Sequence, residues 1–472
     1  MNEPVTLPLW SFVVLAALAA WAALVLLLAP GMRWFFRRRI NAVIRQVGAS
    51  LQVELPSFKL TRRQVLIDRL FHDEKVQAAA SHQARAGNLS KEEVWRRLDR
   101  YAREIVPSFN AYLYFRIGYA LARGVARALY RVRIGYVDQE ALARVGPKST
   151  IVFVINHRSN MDYVLVAFLA AERTALSYAV GEWARVWPLQ QLIRAMGAYF
   201  VRRNSGDALY RAVLARYVQM AAEGGVTQAV FPEGGLSVDG KLRAPKLGLL
   251  DYMLKNFDGR EGSAQRDLVF IPVGLNYDRV LEDRTQLSKL GGAAQARPGK
   301  ARGLGIAAAF LMRNLWQMTL GRWHRFGYAC VNFGQPFSLR RYVREHKLHF
   351  PDLDEAARHS EVSKIGEQLM AGIGAVIPVL PVSLIASVLV AAPDRQMTTL
   401  ELKAAALDLA QRFARRGAHL YLPRQDLDYA FDVGLRMLTL RGLVIEEQGM
   451  LRAPAAELPL LHYYANAIAH LI

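Results

Sequence analysis

Residues 151–171 read IVFVINHRSNMDYVLVAFLAA, and the reading of this stretch decides the fold. Its first five residues are apolar and mostly β-branched, as in a buried parallel strand. Residues 156–160 then form a polar turn in which Ser159 or Asn160 can cap a following helix. His157 therefore emerges at the carboxyl end of a strand, where open α/β sheets place their chemistry. Asp162 follows five residues later in the first turn of the helix, within reach of the imidazole. A carboxylate in that position fixes the imidazole tautomer and supports the imidazolium, which is what a general base needs. Taken alone, the pair also fits a simple helix cap, so the rest of the chain must decide.

Three more strand ends carry polar or glycine-rich tips. Residues 197–203, GAYFVRR, deliver Arg202 and Arg203, and neighbouring guanidinium groups suit a phosphate monoester as well as they suit a solvated surface pair. Residues 228–235, QAVFPEGG, put Glu233 at a strand end and follow it with Gly234 and Gly235, which let the backbone approach a ligand or simply make a tight turn. Just beyond, Lys241, Arg243 and Lys246 add three cations. Residues 268–276, LVFIPVGLN, form a fourth buried strand broken by Pro272. The expected fold class is α/β: a mixed, mostly parallel sheet wrapped by helices.

In order along the chain, HRSNMD, GAYFVRR, FPEGG and IPVGLNY resemble the four motif blocks of the glycerolipid acyltransferase family. The longer strings HRSNMDY and GAYFVRR, with YACVNFGQP around Cys330 and the ending YYANAIAHL, are similar to its membrane-bound bacterial glycerol-3-phosphate acyltransferase branch. The resemblance implies transfer of a fatty acyl group from an acyl carrier protein or coenzyme A thioester to the 1-hydroxyl of glycerol 3-phosphate, without organic cofactor or metal. It implies His157 as base and Asp162 as its partner. It also implies Arg202, Arg203, Glu233, Gly234 and Gly235 on the acceptor, and Pro272, Val273 and Gly274 on the acyl-donor side. One departure bears on the acceptor. The family's glycerol-3-phosphate members usually follow Glu-Gly-Gly with Arg-Ser-Arg, whereas Leu236, Ser237 and Val238 stand here, so Lys241, Arg243 and Lys246 are left to supply the charge. A lysophosphatidate acyltransferase is the alternative within the family.

Composition narrows the partners. Of 472 residues, 61 are Lys or Arg and 40 Asp or Glu, a formal charge of +21 that favours an anionic partner such as a phospholipid surface, nucleic acid or a phosphorylated small molecule. A lone cysteine excludes an intramolecular disulfide framework, and Cys330 reads as a small core residue and not as an acyl-carrying nucleophile. Residues 7–28 are almost wholly apolar, long enough to cross a hydrocarbon core of about 30 Å. Arg33, Arg37, Arg38 and Arg39 follow, which predicts a single-pass anchor in the inner membrane with the catalytic part in the cytoplasm. A cleaved signal peptide would need its basic residues ahead of the apolar run.

The expected organisation is an anchor over 1–32, a helical lead-in over 33–135, a catalytic domain over 136–345 and a mainly helical domain over 346–472. The lead-in shows helical patterns at 61–76 and 91–105. Residues 109–134 mix aromatics with five arginines, which reads as a helix facing an anionic membrane, an RNA-binding face or a solvated helix surface. Residues 301–326 have a similar basic, tryptophan-bearing character. Residues 371–392 are uncharged but interrupted by Pro378 and Pro381, so a buried helix pair is expected there and not a span. Near the end, helices at 400–416 and 427–440 precede a hairpin turning at Gln448-Gly449, a winged-helix pattern. With the charge, that pattern supports a reading of another class, a membrane-tethered nucleic-acid-binding protein. The His-Asp pair and the strand-tip motifs are unexplained on that reading, and nucleic acid is not the expected partner.

Overall fold

A computed structural model of the chain describes residues 56–170, 175–181, 185, 189–202, 205–260, 262–290 and 326–472. The expected anchor at 7–28 and the basic segment at 301–325 lie outside the described residues, as does Arg203. Among the described residues no helix is long and apolar enough to cross a membrane.

Eight strands share one sheet: β1 (Arg131–Val137), β2 (Thr150–Ile155), β3 (Ser177–Gly181), β4 (Tyr199–Val201), β5 (Gln228–Val230), β6 (Leu268–Tyr277), β7 (Tyr328–Phe333) and β8 (Phe337–Ser338). Their order is β1-β7-β6-β2-β5-β3-β4, with β8 alongside β6. Every pairing is parallel except those β6 makes with β7 and β8, so the sheet is mixed and mostly parallel, as expected. In β2 the alternation is direct: Val152 and Val154 enter one core, with the lead-in helices and the helix Ala208–Glu223, while Ile155 enters another on the opposite face.

Two expectations are corrected. Residues 131–134 do not continue a basic helix; that helix ends at Leu129, and Arg131 and Arg133 lie on β1, an edge strand paired only with β7. The sheet therefore begins before residue 136. Nor does Pro272 break its strand: β6 runs unbroken from Leu268 to Tyr277. The Pro272 carbonyl faces the edge where β8 has ended and β7 has yet to begin, and there it accepts from Gly334 N at 2.8 Å. A residue's N–H points the same way as its carbonyl in a strand, so the donor that proline lacks falls in this gap.

The lead-in is helical at Arg63–Phe71, Glu74–Gly87 and Lys91–Ile105. The uncharged run at 371–392 is a helix pair, Glu355–Val376 and Pro381–Ala391, with Pro378 and Pro381 at the break. The C-terminal region carries helices Thr399–Arg415 and Leu427–Thr439 and a small sheet of β9 (Met397–Thr398), β10 (Ile445–Glu447) and β11 (Met450–Arg452). Gln448 and Gly449 both have positive φ, 54° and 78°, as the two-residue turn between β10 and β11 requires.

Candidate active site

The loop after β2 is held from all sides. Asn156 continues the ladder with its side chain: Nδ2 donates to Leu275 O at 2.9 Å, and Oδ1 accepts from Leu275 N at 2.7 Å on β6. The His157 N–H donates to Glu233 Oε1 at 2.7 Å, and the His157 carbonyl accepts from Ser237 N at 2.9 Å. The two sides of the histidine backbone are thus fixed by Glu233 of the FPEGG turn and by Ser237 just beyond it.

The His157 ring meets Asp162 at 2.9 Å, Nδ1 to Oδ2. Oδ2 also accepts from the N–H groups of Arg158 at 2.7 Å and Ser159 at 3.0 Å, and Oδ1 accepts from the Tyr277 hydroxyl. A carboxylate only accepts, so the imidazole proton sits on Nδ1 and the Nε2 lone pair is left for chemistry. Phe231 and Tyr163, 4.2 and 5.3 Å away between ring centroids, the latter nearly perpendicular, limit how the ring can tilt. Glu282 secures the rest of the turn, accepting from Ser159 Oγ at 2.7 Å and from Asn160 N at 3.2 Å. Burial pushes its carboxyl up.

His157 opens on a cavity of about 380 Å³. Apolar side chains, among them Tyr163, Leu214, Phe231 and Leu249, make up much of its wall, joined by three cations: Arg202, Arg211 and Lys246. Among the described residues no carboxylate lines it. Gly234 has φ +67°, and a Cβ there would lie 2.5 Å from the Lys246 side chain, so glycine is what allows this lysine to cross the turn into the wall.

Not every residue proposed from the motifs reaches the cavity. Glu233 has Oε1 on His157 N and Oε2 on Arg243 N at 3.2 Å, so it braces the catalytic loop; burial pushes its carboxyl up to about 7. Gly235 follows in the same turn but is not part of the cavity wall, and neither are Lys241 and Arg243. Pro272, Val273 and Gly274 are buried in β6, and a Cβ on Gly274 would lie 2.3 Å from Val376 O, on the helix packed against the sheet. Arg202 does line the cavity, but two of its donors are spent on Glu104, with Nε 2.9 Å and Nη2 2.5 Å from the carboxylate. Cys330 is buried on β7 with its thiol pushed up to about 12 by desolvation, an inert core residue. Among the described residues no cluster of three His, Cys, Asp or Glu is arranged to hold a metal.

The C-terminal motif meets the same loop. Arg158 is 3% exposed, and its guanidinium donates to Gly240 O at 2.7 Å and lies 4.9 Å over the Tyr463 ring. Asn466 Nδ2 donates to Asp239 O at 2.9 Å. Sequence reasoning assigned no role to Arg158, Tyr277, Glu282 or Glu104. Tyr277 closes the IPVGLNY block and was the one with a signal to follow, a phenol at the end of a buried strand.

Residues 133–276 match the family model described as Acyltransferase, and residues 314–472 match the one described as Glycerol-3-phosphate acyltransferase C-terminal region. The chain carries an acyltransferase domain. The resemblance carried by its motif blocks is borne out, and the first model ends at Asn276, inside IPVGLNY, so all four blocks begin within it. Among curated proteins, the chain is 27% identical to a glycerol-3-phosphate acyltransferase of Xanthomonas axonopodis pv. citri over 76% of its own length and 40% of the relative's. It is 28% identical to one of Aeromonas hydrophila over 92% of its own length and 53% of that protein. The chain thus spans about half, or less, of the curated relatives it matches. A solved 1-acyl-sn-glycerophosphate acyltransferase from Thermotoga maritima aligns with 66% of this chain and 98% of its own at 14% identity and a TM-score of 0.30, too slight a likeness to carry weight.

Proposed function

We propose that this chain transfers an acyl group from a carrier-protein or coenzyme A thioester to the 1-hydroxyl of glycerol 3-phosphate. The observation that carries the reading is the oriented His157–Asp162 pair opening on a cavity whose wall is part apolar and part cationic, with no carboxylate among its described residues. An anionic acceptor and an acyl chain are the two things such a wall accommodates together. The curated relatives named glycerol-3-phosphate acyltransferase support the choice of acceptor.

The acceptor's phosphate binds Arg202 and Lys246, with Arg203 as a further partner, and its 1-hydroxyl faces His157 Nε2. His157 takes the hydroxyl proton as the oxygen attacks the thioester carbonyl, and Asp162 stabilises the imidazolium that forms. The tetrahedral intermediate collapses, the carbon–sulfur bond breaks, and the imidazolium returns its proton to the departing thiolate. A thioester is already activated, so the residues need only position, deprotonate and stabilise developing charge, with neither metal nor cofactor. We further propose that residues 7–28 anchor the chain in the cytoplasmic membrane, which would bring this cavity to the surface where its lipid product is used.

The test is an acyl-transfer assay on purified protein, with glycerol 3-phosphate and lysophosphatidate offered side by side. The reading expects glycerol 3-phosphate to be consumed faster at equal concentration. Preference for lysophosphatidate would move the assignment to the second acylation step. Failure with every phosphorylated acceptor, together with salt-sensitive nucleic-acid binding, would remove it.

A further inference from the structure

The lead-in helix Lys91–Ile105 ends at the cavity's most constrained cation. Glu104, on its last turn, holds Arg202 side-on: the Nε and Nη2 hydrogens on one edge of the guanidinium both point at its carboxylate, at 2.9 and 2.5 Å. Two rings flank it: the guanidinium carbon lies 5.0 Å from the Tyr101 ring centroid and 4.9 Å from that of Tyr210. Those rings are themselves set at 90° to each other, and Tyr101 is tied by its hydroxyl to Asp207 Oδ2 at 2.6 Å. The same Glu104 carboxylate accepts from Arg185 Nη2 at 2.5 Å, so it is anchored independently of Arg202.

A guanidinium has five N–H donors in a rigid fork. Glu104 takes one from Nε and one from Nη2, which leaves the second Nη2 hydrogen and both Nη1 hydrogens at the far end. Glu104 is not among the residues lining the cavity, whereas Arg202 is. Among the described residues no partner takes those three hydrogens, so on the cavity side Arg202 still has donors to offer.

We propose that Glu104 is a positioning residue for the acceptor: it holds Arg202 so that the end of the guanidinium presents a preset pair of donors to the phosphate. The lead-in segment is then part of the acceptor site and not only a support for the sheet. This rests on the acceptor reading given above. In general, a long cationic side chain loses much rotamer freedom when it must be fixed at the moment of binding. An arginine clamped by one carboxylate and two rings has lost that freedom beforehand.

The test uses the full chain with Glu104→Gln, in which the amide keeps the size but turns an N–H toward the arginine, and Glu104→Asp, whose shorter arm cannot reach both nitrogens and which retains the charge should the first variant fold poorly. The acceptor KM is expected to rise about tenfold relative to the donor KM in Glu104→Gln, the loss expected when a charge-assisted hydrogen bond to the phosphate is misaligned. In a double-mutant cycle with Arg202→Lys, the two substitutions should be strongly non-additive, the pair binding acceptor no worse than Arg202→Lys alone. A residue that merely stabilised the fold would give additive losses, and that result overturns the proposal. A fall in acceptor KM overturns it too, since it would make Glu104 a competitor of the phosphate. Calorimetric binding of inorganic phosphate repeats the cycle without turnover. If no phosphorylated acceptor reacts, the acyltransferase reading fails while phosphate binding still decides the role of Glu104.

Discussion

The hydroxyl of Tyr277, the last residue of β6, donates to the Asp162 oxygen that His157 does not use. Three kinds of donor thus converge on one buried carboxylate: the turn's own N–H groups, the imidazole, and a phenol from 115 residues away. Tyr277→Phe keeps the ring and deletes the donor. Leaving a buried polar group short of a partner costs about 1–3 kcal/mol, and here the loss should appear in kcat more than in either KM because the base loses its alignment. Steady-state kinetics and a thermal melt check this. An unchanged kcat would mean that Asp162 orients His157 without help from β6.

Glu233 links the catalytic loop to pH. Burial pushes its carboxyl up to about 7 from the ordinary 4.5, so between those values the folded protein holds a proton that the unfolded chain releases. Stability at this site is therefore fully present below about pH 4.5 and is lost as pH rises through about 7, by roughly 3 kcal/mol at most. Glu233→Gln removes that slope. The Asp278 carboxyl, also pushed up to about 7 by burial, contributes a slope of the same sign to both proteins, so the difference between their melting temperatures isolates Glu233. That difference should change across pH 5 to 8 in the direction of a wild type losing ground; parallel curves would contradict it.

The part of the site written within a few neighbouring residues was legible from the sequence. His157 and Asp162 are five residues apart on a strand–turn–helix whose apolar runs announce themselves, and the hairpin turn at Gln448-Gly449 carries its own signal. What escaped depends on sheet order. Tyr277 reaches Asp162 across 115 residues and Glu104 reaches Arg202 across 98, and no local pattern states that β6 lies beside β2 or that the lead-in helix ends at β4. The edge strand β1 was hidden for another reason. With one paired edge it leaves Arg131, Arg133, Ile134, Gly135 and Tyr136 exposed, so the apolar alternation that marks a half-buried strand is missing.

The proposed anchor makes a separable claim. A spanning helix is held by burial of apolar side chains, which salt does not weaken, whereas a basic protein held only by anionic headgroups is released when charge is screened. The chain should stay with the membrane fraction after a high-salt wash, and residues beyond Arg39 should be digested only from the cytoplasmic side. Release by salt, or cleavage from the outer face, would contradict the anchor or its orientation respectively.

The central claim is that His157 is the base for acyl transfer to a phosphorylated alcohol, and His157→Ala tests it most directly. Formation of 1-acylglycerol 3-phosphate from a long-chain thioester and glycerol 3-phosphate should fall by about 10²- to 10⁴-fold, the usual worth of general-base assistance. Inorganic phosphate binding and the thermal melt, measured on the same preparation, should show that the cavity and fold survive. Near-normal product formation by a folded His157→Ala protein would contradict the account.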